Sequence, residues 1–239
     1  MVAGSRATLK GHSRVPPERS AGRAMAIMPM FPLGSVLFPA MPLTLRIFEE
    51  RYLKLLGDLM GVDAPEFGVV GISRGLEVGG GDGRMSIGTI ASVTEIGTTG
   101  EFLGLESFGT QRFRVVEWLP DDPYPVAEIE VIPDLVWDDS LMPARVHLEA
   151  QVRKLLSFAS EFGELQYGPG FELSDDPMSA CWQLAGVLPV GELDRFDLLS
   201  STSAEELIAQ THAIVATADD TLRAMLAIDS ENRDSPESL

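Results

Sequence analysis

The fold of this chain is decided by residues 30–52, MFPLGSVLFPAMPLTLRIFEERY. Two short apolar runs, Met30–Leu33 and Leu43–Ile47, flank a Phe-Pro turn and predict two strands. Glu49 and Glu50 follow, and negative charge is favourable at the positive end of a helix dipole. The segment therefore predicts a strand, a turn, a second strand and the start of a helix.

The sequence remains rich in β-forming residues as far as Ile132. Runs dense in Val, Ile, Phe and Thr are separated by Gly, Pro and Asp, which predicts six or seven strands in all. The further runs are Gly68–Ser73, Ser86–Ile96, Glu101–Phe108, Arg112–Trp118 and Val126–Val131. Within Arg112–Trp118 the apolar residues change parity near Val115, so we expect a β-bulge there.

One helix interrupts the predicted strands and ends near Gly61. Its apolar residues recur at helical spacing and predict a buried stripe of Tyr52, Leu55, Leu56 and Leu59.

Beyond Pro133 the apolar residues recur every three or four positions, which is typical of helices. A long helix is predicted from Leu141 to a stop at Gly163, and a short one through Phe196 and Leu199. Another helix is predicted to begin at Pro177, capped by Ser174, Asp175 or Asp176. Thr202 and Glu205 predict a capping box for the last helix, with the stripe Leu207, Thr211, Ile214, Ala218, Leu222 and Met225.

The composition predicts an ordinary globular protein without a membrane segment. Of 239 residues 45% are hydrophobic, and no apolar run reaches the roughly 18 residues that a membrane helix needs. A single cysteine, Cys181, excludes an internal disulfide, and the three histidines have no zinc-binding spacing. We therefore expect a cytoplasmic protein with no cofactor and no metal.

Charge divides the chain unevenly. Residues 1–25 hold five basic residues against Glu18, whereas residues 26–239 carry 13 basic and 35 acidic groups, a net charge of −22. A surface this acidic repels phosphates, which argues against nucleic acids and anionic membranes as partners. The opening residues are rich in Arg, Gly, Ser and Pro and predict disorder, and we expect translation to start at Met25 or Met28.

Residues 30–52 closely resemble the opening of the Lon protease N-terminal domain, through Pro32, Leu33, Phe38, Pro39, Phe48, Glu49, Arg51 and Tyr52. Further matching pieces follow in order: FGVVGI at Phe67–Ile72, GTIASVTEI at Gly88–Ile96, GTQRFRV at Gly109–Val115, YPVAEIE at Tyr124–Glu130 and LAGVLPV at Leu184–Val190. The chain departs from the family at Glu50, where proline is common.

The resemblance implies an α+β fold: a PUA-like six-stranded pseudo-barrel with one helix, followed by a C-terminal helical bundle. The predicted organisation is a disordered basic extension at residues 1–27, the barrel at 28–133, the helical bundle at 134–228 and a flexible acidic tail at 229–239. The family presents polypeptides to a protease, so the chain is predicted to be a stand-alone, non-catalytic Lon substrate-binding-domain protein.

The sequence does not predict catalysis by the Lon machinery. A Walker A loop places a lysine directly after a glycine to hold ATP phosphates. None of the three lysines of this chain, Lys10, Lys54 and Lys154, follows a glycine. A Lon-type peptidase needs a serine activated by a lysine of lowered pKa, whereas Lys54 and Lys154 lie on the predicted solvated faces of helices. The glycine-rich segment Gly75–Arg84 predicts a hairpin loop, and Cys181 a core residue.

The predicted function is capture of unfolded or apolar polypeptide segments, with a separate protease or unfoldase as a further partner. Large apolar residues beside prolines or at strand ends are the candidate contacts: Phe38, Met41, Trp118 and Trp137. The alternative is a small-molecule or RNA-binding PUA-like module, or a hydrolase, with its site in the cleft between barrel and bundle.

Overall fold

The computed structural model describes residues 25–73, 83–99, 102–161, 163 and 165–234, with side chains for all of these except 73, 98, 99 and 220–234. Six strands form one mixed sheet: β1 (Met25–Leu33), β2 (Pro42–Ile47), β3 (Glu66–Ser73), β4 (Gly83–Thr99), β5 (Phe102–Leu119) and β6 (Val126–Val131). Five α-helices accompany them in the described residues: α1 (Glu50–Leu59), α2 (Met142–Ala159), α3 (Pro177–Gly186), α4 (Glu192–Leu199) and α5 (Ala204–Asp234). A short 3-10 helix, Asp139–Leu141, precedes α2. The α+β class is confirmed.

The sheet closes into a ring. Its strand order is β2-β5-β4-β3-β1-β6, and β6 pairs again with β5. β1 and β3 run parallel, and the other pairs are antiparallel. The closed ring therefore consists of β5, β4, β3, β1 and β6, and β2 extends it beside β5. A small apolar cluster with at least one residue from each of the five ring strands shows that the ring encloses a packed interior: Met30, Val70, Ile90, Phe113, Ala127 and Ile129.

The number of strands in the described residues is six, within the predicted six or seven, because β5 joins two of the predicted runs, Glu101–Phe108 and Arg112–Trp118, into one strand. Gly109 pairs with Ala91 and Arg112 with Thr89, so the ladder with β4 holds the residues between the runs in the sheet. The predicted bulge near Val115 is confirmed by a register shift between Val115 and Glu117 opposite β6.

The predicted stripe of α1 is confirmed: Tyr52, Leu55, Leu56 and Leu59 are all buried. They belong to a second, larger core that also includes side chains of the sheet and of α2, α3, α4 and α5. The ring of Phe31 stacks on that of Tyr52 with 3.9 Å between centroids. The helical half and the sheet therefore share one continuous apolar core.

The helix caps agree with the predictions in one case and correct them in another. The Asp176 carboxylate accepts a hydrogen bond from the Ser179 N–H, with Pro177 at the first helical position of α3, as predicted. At α5 the cap is Ser203, whose hydroxyl accepts from the Glu206 N–H, one residue later than predicted. α5 begins at Ala204, and the Glu206 carboxylate in its first turn accepts hydrogen bonds from the N–H and the hydroxyl of Thr202.

Element ends move the predicted boundaries. β1 begins at Met25, so residues 25–27 belong to the sheet instead of the extension. α5 continues to Asp234, past the predicted start of the tail at residue 229. α2 ends at Ala159, before the predicted stop at Gly163. Residues 1–24, residues 235–239 and most of the glycine-rich loop lie outside the described residues, as do the side chains of Leu222 and Met225.

Candidate polypeptide-binding surface

Two of the four predicted contact residues are core residues. Phe38 is 0% exposed and Met41 is 4% exposed. The Phe38 ring lies 6.1 Å from the Trp182 ring, and the Arg195 guanidinium lies 5.1 Å from its centroid. Met41 packs where a Cβ on Gly186 would be, so α3 approaches it closely. α3 and Arg195 cover these side chains, which corrects the prediction that they are available on the surface.

The backbone around Phe38 is tied to both halves of the molecule. The Thr89 hydroxyl donates to the Leu37 C=O at 2.6 Å, and the Gln183 side-chain amide donates to the Ala40 C=O at 3.2 Å. Ala40 has a φ of 59°, a left-handed conformation uncommon for a residue with a side chain. Glu192 of α4 accepts from the Val36 N–H at 2.8 Å. This turn therefore joins the sheet to α3 and α4.

The other two predicted contacts, Trp118 and Trp137, are partly exposed. The Arg84 guanidinium lies 4.2 Å from the Trp118 ring centroid and forms an ion pair with Asp121. The Trp137 indole N–H donates to the Asp139 carboxylate at 3.1 Å. Arg84 therefore covers part of one face of Trp118, and Asp139 accepts a hydrogen bond from the only N–H of the Trp137 ring. Contact of either tryptophan with a polypeptide stays a prediction.

An exposed apolar surface is centred on Phe48. Phe48 is 68% exposed, Phe102 42% and Leu53 37%. Ile47 pairs with Leu103, so the same register places Phe48 beside Phe102. Because Glu49 is the N-cap of α1, Phe48 and Leu53 occupy the two positions that lie together in a hydrophobic staple. We name these three residues the Phe48 surface.

Charged residues border the Phe48 surface. Arg51 forms an ion pair with Glu49 at 2.8 Å, and its guanidinium lies 4.7 Å from the Tyr52 ring centroid. Further along α1, Asp58 accepts from Lys54 at 2.8 Å and from the Tyr124 hydroxyl at 2.9 Å. These hydrogen bonds lower the pKa of the Asp58 carboxyl. An apolar centre with a polar border is the usual anatomy of a binding surface.

Sequence reasoning assigned Phe48 a structural role and did not select Phe102. Phe48 precedes the acidic start of a helix, and its strand neighbour Arg46 is polar. An apolar residue before a helix cap can be buried or exposed, and the register of the neighbouring strands decides which. The sequence did not predict the register of β2 against β5, so the exposure of Phe48 was not predicted.

Metal-ligand clusters and cavities in the described residues bear on the remaining predictions. Among them, no group of three or more His, Cys, Asp or Glu side chains could hold a metal ion. A cavity of about 430 Å³ between α4 and α5 is lined by acidic and apolar residues that include Asp194, Asp197, Glu206 and Ile214. It lies between helices and not in the predicted cleft between barrel and bundle.

Cys181 is buried and is expected to be unreactive in the folded protein. Burial raises the pKa of its thiol to about 11, so the thiolate that reacts with disulfide reagents is scarce at neutral pH. We expect 5,5′-dithiobis(2-nitrobenzoate) to label Cys181 at least about 100-fold more slowly in buffer than in guanidinium chloride. Rapid stoichiometric labelling of the native protein would contradict the burial of this thiol.

The structure is an α+β fold in which a six-stranded mixed sheet closes on itself and shares its apolar core with the helices. Residues 27–217 match the family model of the ATP-dependent protease La (LON) substrate-binding domain. The chain belongs to this family. The match is to the substrate-binding domain, and no ATPase or protease domain is matched.

Sequence relatives include two myxobacterial Lon proteases. The chain is 33% identical to the Lon protease of Anaeromyxobacter dehalogenans over 144 residues, covering 59% of this chain and 16% of that protein. It is 27% identical to Lon protease 2 of Myxococcus xanthus over 210 residues, covering 87% of this chain and 24% of that protein. The chain thus spans about a quarter or less of the length of these relatives.

Two solved structures share the fold. The Lon N-terminal domain protein from Xanthomonas campestris has a TM-score of 0.56 and 27% identity, covering 79% of this chain and 98% of that one. The N-terminal domain of Mycobacterium avium complex Lon protease has a TM-score of 0.59 and 11% identity, covering 80% and 98%.

The described helices contain no stretch with both the length and the hydropathy needed to cross a bilayer.

Proposed function

We propose that this chain is a non-catalytic polypeptide-binding or adaptor module that holds exposed apolar segments of other proteins. Membership in a substrate-binding-domain family supports polypeptide as the ligand class. The chain acts as a stand-alone module in the cytoplasm, and a separate protease or unfoldase receives the bound client. Within it, α2 to α5 act as a helical bundle subdomain that supports a PUA-like barrel.

The observation that carries this proposal is the exposure of Phe48. A phenylalanine that is 68% exposed leaves apolar area in water, and burial of such area against a partner is favourable by about 25 cal/mol per Å². Phe102 and Leu53 extend that area, and the ion pair of Glu49 with Arg51 borders it. Aromatic residues in this setting are the usual hot spots of protein interfaces.

Replacing Phe48 with serine is expected to weaken the binding of an unfolded protein about 30-fold, because a central aromatic contact contributes roughly 2 kcal/mol. The measurement is fluorescence anisotropy with labelled, reduced and carboxymethylated α-lactalbumin, which stays unfolded in buffer. The melting temperature should change by less than about 3 °C, because the Phe48 side chain is mostly solvated.

Leu193→Ser provides the matched control. Leu193 is 73% exposed on α4, away from the Phe48 surface in the chain, so its replacement removes a similar exposed apolar group. Wild type and Leu193→Ser should bind alike. If Phe48→Ser also binds like wild type, the Phe48 surface is not the contact, and if wild type does not bind at all, the proposed function is wrong.

A further inference from the structure

A strand edge is left open beside the Phe48 surface. β2 pairs with β5 along one side, and no other strand in the described parts of the chain pairs with it. The Gly109 N–H donates to the Met41 C=O at 2.9 Å, where the chain enters β2. The backbone N–H and C=O groups of successive residues in an antiparallel strand point to opposite sides of the strand. Odd-numbered residues of β2 therefore bond to β5, and the backbone groups of even-numbered residues point away from β5. Thr44 and Arg46 therefore direct their backbone groups to the open edge.

Two further observations agree with this assignment. The Ser107 hydroxyl of β5 donates to the Leu43 C=O at 3.1 Å, which places that odd-numbered carbonyl on the β5 side. Pro42 is even-numbered, so the N–H that proline lacks would have pointed to the open edge, the position at which strands tolerate proline.

The open edge is available for pairing. Thr44 and Arg46 are exposed, and the alternation along β2 directs their backbone groups away from β5. No turn, loop or helix residue that the structure describes forms a backbone hydrogen bond with them. The Leu43 and Leu45 side chains pack against the core and hold β2 in place. Two residues with free N–H and C=O groups on a fixed strand are a template for another strand.

We propose that an extended apolar polypeptide segment adds to β2 as a further strand, pairing with Thr44 and Arg46 and placing an apolar side chain against Phe48. This inference rests on the proposed function and specifies the conformation of the bound segment. The spacing of backbone donors and acceptors selects an extended chain, and Phe48, one residue beyond β2, selects an apolar side chain. Proline in the paired positions of the segment is excluded because it lacks the N–H.

The test uses a short soluble peptide in which Val and Phe alternate with Ser and Lys, labelled for fluorescence anisotropy. Thr44→Pro removes one outward N–H without removing a bond to β5, and a strand at the sheet edge accommodates the proline φ. Thr44→Val keeps the N–H and is the matched control. We expect Thr44→Pro to bind the peptide at least about fivefold more weakly than Thr44→Val does. Such a loss corresponds to one missing hydrogen bond and some weakening of the bonds next to it.

A second measurement is independent of the stability of the variants. In an extended peptide, alternate residues direct their N–H groups to opposite edges. N-methylation of every second residue therefore removes the N–H groups along one edge of the peptide and leaves those of the other edge. One of the two alternating patterns should abolish binding to wild type, and the other should leave it within about twofold.

The outcomes separate the inference from the proposed function. If wild type binds the peptide and neither Thr44→Pro nor either methylation pattern weakens binding, strand addition is overturned while polypeptide binding stands. If wild type does not bind the peptide or the unfolded protein, both are overturned. If sedimentation shows a wild-type dimer that Thr44→Pro dissociates, and no peptide binds, the edge is occupied by a second copy and the inference is overturned.

Discussion

Replacing Arg112 with leucine is expected to lower the free energy of unfolding by about 3 kcal/mol. Arg112 is buried on β5, and its guanidinium donates to the C=O of Leu199 at 2.8 Å and of Ser201 at 2.6 Å. It also lies 5.0 Å from the Trp182 ring centroid. Leucine fills part of the space but leaves both carbonyls without this donor, so the connection between the sheet and the α4–α5 junction is lost. Urea unfolding followed by circular dichroism measures the change.

Arg114→Leu is the control for this prediction. Arg114 lies two residues further along β5 and is exposed, opposite Glu130 of β6. Substitutions of solvent-exposed side chains usually have small effects, so its replacement should change the free energy of unfolding by less than about 1 kcal/mol. Equal effects of the two substitutions would show that Arg112 does not connect the sheet to the helices as described.

Gly109→Ala is expected to destabilise the protein by about 3 kcal/mol or to prevent folding. A Cβ at Gly109 would collide with the Phe38 carbonyl oxygen, a backbone atom that cannot rotate away. The Gly109 N–H and C=O also bond to Met41 and Ala40, both at 2.9 Å, so the strand cannot move without losing these bonds. Thermal unfolding of the purified variant, or its yield of soluble protein, measures the effect.

Gly97→Ala tests whether this effect is specific to the close approach. Gly97 also lies in a strand, but a Cβ there would meet no atom within 4 Å. Alanine reduces the freedom of the unfolded chain, so this variant should be as stable as wild type or slightly more stable. If Gly109→Ala is as stable as Gly97→Ala, the turn at Phe38 moves easily and does not join the sheet to the helices.

Sequence reasoning predicted the elements that depend on local pattern. The buried stripe of α1 and the cap at Asp176 follow from helical spacing and from side-chain hydrogen bonding within a few residues, and the structure has both. The bulge at Val115 followed from a change of parity inside one strand. In each case the deciding interactions lie close together in the sequence.

The remaining features depend on residues far apart in the sequence. Phe38 was predicted to be a contact because it is large and next to a proline, yet Trp182 and Arg195 cover it. Phe48 is exposed because strand register and the α1 cap place it at an uncovered end of the sheet. Neither the covering helices nor the register is encoded in a local pattern, so the sequence did not predict which of these aromatic residues are buried and which are exposed.

Closure of the ring by β6 has a consequence for the order in which the protein is made. β1 has β3 and β6 as its neighbours, and β6 also completes the pairing of β5. During translation β1 emerges from the ribosome first, and its antiparallel neighbour is present only after residues 126–131 have been synthesised. Pairings between such distant segments are slow to form, so a nascent chain stalled before β6 would expose strands to chaperones and proteases instead of completing the barrel.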